Sequence, residues 1–158
     1  MVDIHKSVSN LFQENEDSLE IFECKDEFSD TQSFCDHYGY KIEDSCNAIL
    51  IKSKKPEQFY ALFCVLGVDR LDVNHKGKAV LSSKKLSFAS REEAEEITGQ
   101  IYGGISPLGL PQDIKIYIDK NVMKRDKVFI GGGNRVSKFF LSPETLVNLT
   151  NASIEDLT

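Results

Sequence analysis

Two apolar runs joined by a short lysine-rich turn constrain the fold of this chain more than any other feature. The runs read CNAILIK and EQFYALFCVLG, and the segment SKKPE contains the turn between them. Runs rich in aliphatic and aromatic residues that are separated by so few turn residues are typical of an antiparallel hairpin. Since both runs are apolar on both faces, we predict that both strands lie in the middle of a sheet.

Capping residues predict the helices. Asp30 precedes TQSFCDHY, and Gly39 follows it where a left-handed residue commonly ends a helix. In SFASREEAEEITG, Ser90 and Glu93 have the spacing of a capping box. SPETLVNLT opens with a serine and a proline, which favour the first turn of a last helix, and residues 3–12 are compatible with a short first one.

Four further segments have the pattern of strands, and no repeat or linker interrupts the chain. The segments are SLEIFEC, IKIYID, KVFIGGG and VSKFFLS. Residues 74–85 are polar and give no clear pattern. We therefore predict a single α+β domain over residues 1–158, with one mixed, mostly antiparallel sheet flanked by helices.

Length and composition indicate where the protein is located in the cell and which metal or thiol sites to expect. The longest apolar runs fall well short of the roughly 20 residues of a membrane span, and the start MVDIHKSVSN has no signal-peptide core. We expect a cytoplasmic protein with no membrane partner. The four cysteines form no CxxC pair, and the three histidines are scattered, so we expect buried free thiols, no metal and no cofactor.

The net charge of −6 hides a basic segment. The overall charge argues against indiscriminate nucleic-acid binding, and we expect no DNA partner. Residues 51–91, however, contain nine Lys and Arg against three acids. These lysines either solvate the surface or contact an RNA backbone. The candidates for RNA contact are Lys52, Lys54, Lys55, Lys84 and Lys85.

Two glycine clusters are the strongest candidates for a site. They read GGISP at 103–107 and GGGN at 131–134. Such turns can point several backbone NH groups at an anion or a carbonyl oxygen, but they can also be tight turns and nothing more. GGGNRV lacks the third glycine and the following helix of a dinucleotide-binding motif. Ser106 is not in a GxSxG elbow, so we interpret it as a hydrogen-bonding residue and not as a covalent nucleophile.

The order of RLD, SFASREEAEEITGQIYGGISPLGLP, YID and VFIGGGNRVSKFFLSPETL resembles the YbaK and prolyl-tRNA-synthetase-associated family of aminoacyl-tRNA deacylases. The resemblance covers about residues 20–150. It implies a free-standing editing domain that hydrolyses the ester between a wrong amino acid and its tRNA, with the acceptor end of an aminoacyl-tRNA as its partner and no metal. It also implies that water attacks the ester while backbone NH groups stabilise the oxyanion and a substrate ribose hydroxyl helps to activate the water.

The same resemblance implies the site residues. The loop beside the ester would contain Gly103, Gly104, Ile105, Ser106 and Pro107. The second glycine turn would line the other side through Gly132, Gly133 and Asn134. Gly104, Ser106 and Asn47 are the candidates for a catalytic role.

Asn47 departs from the family pattern, in which a lysine commonly stands at this position of the central strand. An asparagine can donate a hydrogen bond to an ester or ribose oxygen, but it brings no positive charge. Lys52 does not replace that lysine, because it lies five residues farther along the strand, on the opposite face and about 16 Å away. The alternative prediction is therefore a binding module without turnover, which recognises a tRNA acceptor end, an aminoacyl group or a protein partner.

Overall fold

The computed structural model describes residues 1–158 and contains two β-sheets packed with five helices. The helices are α1 Lys6–Glu14, α2 Thr31–Tyr38, α3 Lys78–Leu81, α4 Arg91–Thr98 and α5 Pro143–Thr150. The strands are β1 Glu20–Glu23, β2 Cys46–Lys55, β3 Phe59–Leu66, β4 Lys85–Phe88, β5 Lys115–Asp119, β6 Val128–Gly131, β7 Ser137–Leu141 and β8 Ser153–Glu155. The predicted α+β class is confirmed.

The predicted hairpin is the centre of the larger sheet. Strands β2 and β3 pair antiparallel from Cys46 opposite Leu66 to Ser53 opposite Phe59. The strand order is β4-β2-β3-β5-β8, so both strands of the hairpin have neighbours on both sides. Strand β5 runs parallel to β3, and β8 runs parallel to β5, which makes the sheet mixed. The central position predicted for the two apolar runs is confirmed.

The prediction of one sheet is wrong. Strands β1, β7 and β6 form a separate antiparallel sheet in that order. The two sheets meet in a single isolated bridge between Ser45 and Phe129. The short glycine turn joins β6 to β7, which pair with each other, and β7 pairs on its other side with β1.

The main core lies between the two sheets. Leu62 and Cys64 of β3 pack there with Phe139 of β7, and helices α1, α4 and α5 contribute Val8, Ala94 and Leu146. All of these side chains are buried, so this core is removed from water. A second, smaller core lies on the other face of the hairpin, around Ile51, Ala61 and Phe63.

Two of the predicted helix ends are confirmed by their hydrogen bonds, whereas Asp30 precedes α2 without a side-chain capping bond. Gly39 ends α2 in the left-handed conformation. Ser90 and Glu93 form both bonds of the capping box at the start of α4. The ambiguous segment contains a π-helical turn, Val73–Gly77, then α3 and the start of β4. None of the helices has the length and apolar content that a membrane crossing needs.

Candidate active site

A cleft of about 460 Å³ opens where the two sheets diverge. Strand β4 pairs only with residues 51–55 of β2, which leaves residues 46–50 of β2 as one wall. The loop at Tyr102–Ile105 and the end of β6 form further walls, and the start of α2 closes one side. The volume lies within the range of about 300–1,000 Å³ that small-molecule sites occupy.

The first glycine loop lines this cleft and contains unpaired backbone donors. Helix α4 ends at Gly99, which has the left-handed conformation. In the loop that follows, the NH of Gly104 donates to the carbonyl of Ile101 at 2.9 Å. The NH groups of Gly103 and Ile105 donate to no acceptor within the protein, although both residues line the cleft. Two backbone donors are therefore available to an acceptor in a bound ligand.

The second glycine turn lies mostly behind the first loop. Gly131 lines the cleft, whereas Gly132, Gly133 and Asn134 do not. The NH of Gly133 donates to the carbonyl of Gly104 at 2.7 Å, so the two loops are bonded directly to each other. A Cβ atom at Gly104 would overlap the carbonyl oxygen of Asn134.

Asn134 stabilises this arrangement from within. Its side chain is 6% exposed; its amide nitrogen donates to the carbonyl of Asp3 at 2.9 Å. Its Oδ1 accepts from the NH of Val136 at 3.0 Å and from the hydroxyl of Ser137 at 2.7 Å. All of these contacts hold the turn in shape, and none faces the cleft.

Ser106 and Pro107 also lie outside the cleft. Ser106 is fully buried; its NH donates to Oε1 of Gln100 at 2.7 Å, and its hydroxyl accepts from Leu108 at 3.1 Å. Pro107 lines a second depression, of about 770 Å³, on the other side of the loop. That depression is larger, but it contains no buried charged side chain, so we place the candidate site in the cleft.

Asn47 lines the cleft and is held in one orientation. Its Oδ1 accepts hydrogen bonds from the hydroxyls of Ser45 at 2.7 Å and Thr31 at 3.2 Å. Its amide nitrogen has no partner in the protein. The Nδ2 group is therefore a third donor that a ligand can use. Of the sequence-predicted site residues, the cleft brings together Asn47, Gly103, Gly104 and Ile105.

Lys138 is a lining residue that the sequence analysis missed. It lies on β7, is 6% exposed, and donates from Nζ to the carbonyl of Ser29 at 2.9 Å. Its Nζ also lies 4.9 Å from the ring centroid of Phe34. Burial lowers the pKa of this lysine. One signal was available in the sequence, since the apolar run FFL directly follows the lysine; in the structure every residue of Ser137–Leu141 is buried.

Asp30 carries the cleft's only carboxylate. It stands at the N-cap of α2, yet its side chain accepts no capping hydrogen bond and forms no ion pair. The residue is exposed at the rim. Its charge is therefore free to meet a cationic group of a ligand.

The five predicted RNA-contact lysines divide into two groups. Lys52 forms an ion pair with Glu93 at 3.0 Å, and the hydroxyl of Tyr60 donates to the same carboxylate at 2.6 Å. The Tyr60 bond first, then the bond from the NH of Ser90 and the contact with Lys52, lower the pKa of Glu93 to about 2. The other four lysines are exposed and form a patch where β2 meets the start of β4. This lysine patch comprises Lys54, Lys55, Lys84 and Lys85.

The structure contains no disulfide and no cluster of metal ligands. All four cysteines are buried and free, as predicted. Nowhere do three His, Cys, Asp or Glu side chains come together in a way that could hold a metal ion.

The model of the aminoacyl-tRNA editing domain family matches residues 26–149. This chain belongs to that family. The match contains α2, the hairpin, both glycine loops and Lys138. The suspected resemblance is confirmed.

Curated relatives match over a shorter region. EbsC of Enterococcus faecalis, named as a candidate Cys-tRNA(Pro)/Cys-tRNA(Cys) deacylase, is 28% identical over 92 residues, which are 58% of this chain and 56% of that protein. The chain thus spans little more than half the length of the curated relatives it matches.

Two solved structures share the fold over nearly the whole chain. A candidate trans-editing enzyme for prolyl-tRNA synthetase is 24% identical, with a TM-score of 0.83 and coverage of 99% of each chain. The hypothetical protein APE2540 is 21% identical, with a TM-score of 0.85 and coverage of 96% of this chain and 99% of that one.

Proposed function

We propose that this editing domain is a trans-acting deacylase that hydrolyses the ester of mischarged aminoacyl-tRNA. The observation that carries the proposal is the cleft at which Gly103 NH, Ile105 NH and Asn47 Nδ2 all lack an acceptor within the protein. A cleft lined by unused donors favours a ligand rich in acceptor oxygens, as an aminoacyl ester of a ribose is. Membership of the editing family supports the same substrate class.

The reaction needs little from side chains. Water adds to the ester carbonyl carbon, and the negative charge that develops on the carbonyl oxygen is met by the NH groups of Gly103 and Ile105. The intermediate collapses as the bond to the ribose oxygen breaks. That oxygen takes the proton that water has released, and free amino acid and tRNA leave. Asn47 donates to a ribose or ester oxygen and holds the substrate in register.

Asp30 completes the recognition of an aminoacyl group. Such a group carries an α-ammonium beside the ester, and Asp30 is the carboxylate at the cleft that has no partner in the protein. An ion pair there would favour a free amino acid ester over an N-acetylated one.

The lysine patch gives the acceptor stem a route to the cleft. Strand β4 begins at Lys85 in the patch and ends at Phe88 on the rim of the cleft, about 10 Å away along the strand. Phe88 is 61% exposed, and an exposed aromatic ring is a platform on which an unpaired base can stack. An aminoacyl-tRNA that lays its backbone along the patch would bring its 3′ end to the donors, in the cytoplasm where translation takes place.

The direct test is deacylation of a panel of mischarged tRNAs, including alanine, cysteine and serine on tRNA-Pro. We expect the wild type to release the amino acid from at least one member. Release from none of them, with folded protein and intact tRNA, would contradict the deacylase. Cysteine on tRNA-Pro is included because the name of EbsC contains this substrate.

Asn47 favours one alternative function, a binding module without turnover, because its amide brings no charge to the cleft. Under that alternative, the wild type binds an aminoacyl-adenosine analogue whose ester is replaced by an amide, and hydrolysis appears only in Asn47→Lys. Hydrolysis by the wild type excludes this alternative.

The lysine patch has its own test. Lys84→Ala with Lys85→Ala should lower kcat/KM for the whole aminoacyl-tRNA and flatten its dependence on salt, while hydrolysis of an aminoacyl-adenosine ester stays unchanged. Lys115→Ala with Lys124→Ala, also exposed and outside the patch, is the matched control. Equal losses in both double variants would contradict the route.

A further inference from the structure

Lys138 is the one buried cation of the cleft, and the contacts that surround it leave its charge largely unused. No carboxylate forms an ion pair with it. An ammonium carries three donors, and within the protein only the carbonyl of Ser29 accepts one of them. The ring of Phe34 is a further favourable contact, and the carboxylate of Asp30 attracts the ammonium from beyond ion-pair distance. Buried lysines are rare unless they are paired, so this arrangement calls for a ligand.

The position of Lys138 relates it to the other donors. The hydroxyl of Ser29, whose carbonyl binds Lys138, donates to the carbonyl of Gly103 at 3.4 Å. Two residues later, Thr31 donates to Asn47. The segment 29–31 therefore connects the lysine on one side with the glycine loop and with Asn47 on the other.

We infer that Lys138 contacts the substrate and stabilises the negative charge that develops on the ester carbonyl oxygen, together with the NH groups of Gly103 and Ile105. This inference rests on the proposed function. The lysine reaches the cleft from β7 of the smaller sheet, whereas Asn47 stands on β2 of the larger one. A charged donor and a neutral donor thus approach the substrate from opposite sheets.

The burial of Lys138 favours contact with the ester oxygen over contact with a tRNA phosphate. Phosphates remain near water, where the exposed lysine patch can meet them, whereas Lys138 is 6% exposed. A cation removed from water interacts strongly with a charge that appears only in the transition state. The direction of its pKa, lowered by burial, agrees with a desolvated ammonium.

The test compares two ligands of Lys138→Met. One is an aminoacyl-adenosine analogue in which a phosphonate replaces the ester, so that it carries a tetrahedral anion. The other is the neutral amide analogue. We expect the variant to lose about 100-fold in affinity for the phosphonate and to bind the amide as the wild type does. Equal losses for both analogues, or no loss for either, would overturn the inference.

A rescue experiment separates charge from structure. If Lys138 acts through its charge, Asn47→Lys in the Lys138→Met background should restore much of the preference for the phosphonate. If Lys138 only packs, Lys138→Met does not lower the preference for the phosphonate, and the second lysine has no loss to restore. Lys124→Met, at an exposed position outside the cleft, is the matched control. Lys138→Gln serves in place of Lys138→Met if the latter does not fold.

These readouts do not depend on turnover. Failure of the wild type to hydrolyse any mischarged tRNA would contradict the proposed function, yet the ratio of phosphonate to amide affinity would still report on Lys138. Conversely, an active wild type whose Lys138→Met variant keeps the full kcat would overturn only the inference.

Discussion

The two glycine loops look alike in sequence and do different work in the structure. The first, at 103–105, lines the cleft with two unpaired NH groups. The second, at 132–134, lies behind it, where the NH of Gly133 and the side chain of Asn134 form internal hydrogen bonds. In the first loop, glycine leaves the backbone NH groups accessible to a ligand. In the second, it lets the backbones of the two loops pack against each other. A glycine cluster therefore indicates that something packs closely against the backbone. Only the contacts in the structure show whether that is a ligand or another loop.

The largest expected effect comes from the contact between the loops. Gly104→Ala would drive a Cβ into the backbone of Asn134, which cannot move aside as a flexible side chain could. We expect deacylation to be abolished and the free energy of unfolding to fall by about 3 kcal/mol, measured by urea denaturation.

Gly99→Ala is the matched control for that substitution. Gly99 has a positive φ, of 71°, which Gly104 does not, and a Cβ there meets no atom within 4 Å. Only backbone strain remains, so the loss should be about 1 kcal/mol. Equal losses in the two variants would show that the loops are not packed as described.

The second expected effect concerns a residue that faces the cleft. Asn47→Asp keeps the oxygen that accepts from Ser45 and Thr31, but it removes the free donor and adds a negative charge. We expect kcat/KM for deacylation to fall about 100-fold, with little change in the melting temperature. A large fall in the melting temperature with unchanged kcat/KM would place Asn47 among the supporting residues.

The third prediction concerns Asn134, behind the cleft, where we expect stability to fall and kcat to stay unchanged. Asn134→Ala removes the donor to Asp3 and the acceptor of Val136 and Ser137, all inside the turn. We expect a loss of about 2 kcal/mol in stability, while the kcat of the molecules that remain folded stays close to that of the wild type. A lowered kcat at full folding would bring the second loop into the reaction.

The smallest effect concerns the helix that carries the first loop. Glu93 has a folded pKa of about 2, below its unfolded value of about 4.3. Its contribution to stability is therefore complete above the unfolded value and is lost as the pH falls towards 2. Glu93→Gln should reduce the dependence of the melting temperature on pH in this window, and it keeps the capping box. Glu92→Gln, at an exposed neighbouring position, should leave that dependence unchanged.

Much of the fold could be predicted because its signals are local. The hairpin follows from two apolar runs and a short turn, and α4 follows from its capping box. The division into two sheets could not be predicted, since periodicity indicates a strand but not its partner. Strands β4 and β8 have only four and three residues and were missed, because they exist through pairing with β2 and β5.

The candidate site was predictable only in part, for the same physical reason. Gly103, Gly104 and Ile105 reach the cleft as the first glycine cluster indicated. Gly132, Gly133 and Asn134 form a similar glycine cluster, but the bond from Gly133 to Gly104 and their absence from the cleft lining show that they lie behind the first loop. Lys138, on a strand that is distant in sequence from the first loop, reaches the cleft through tertiary packing of the two sheets.

The central claim is that the first loop, and not the second, provides the backbone donors that meet the substrate. Amide NMR spectra of the protein with the non-hydrolysable aminoacyl-adenosine amide test this directly. We expect the NH resonances of Gly103 and Ile105 to shift and their hydrogen exchange to slow, while those of Gly132 and Gly133 change little. Binding that leaves Gly103 and Ile105 unchanged, or that shifts the second loop alone, would contradict the account.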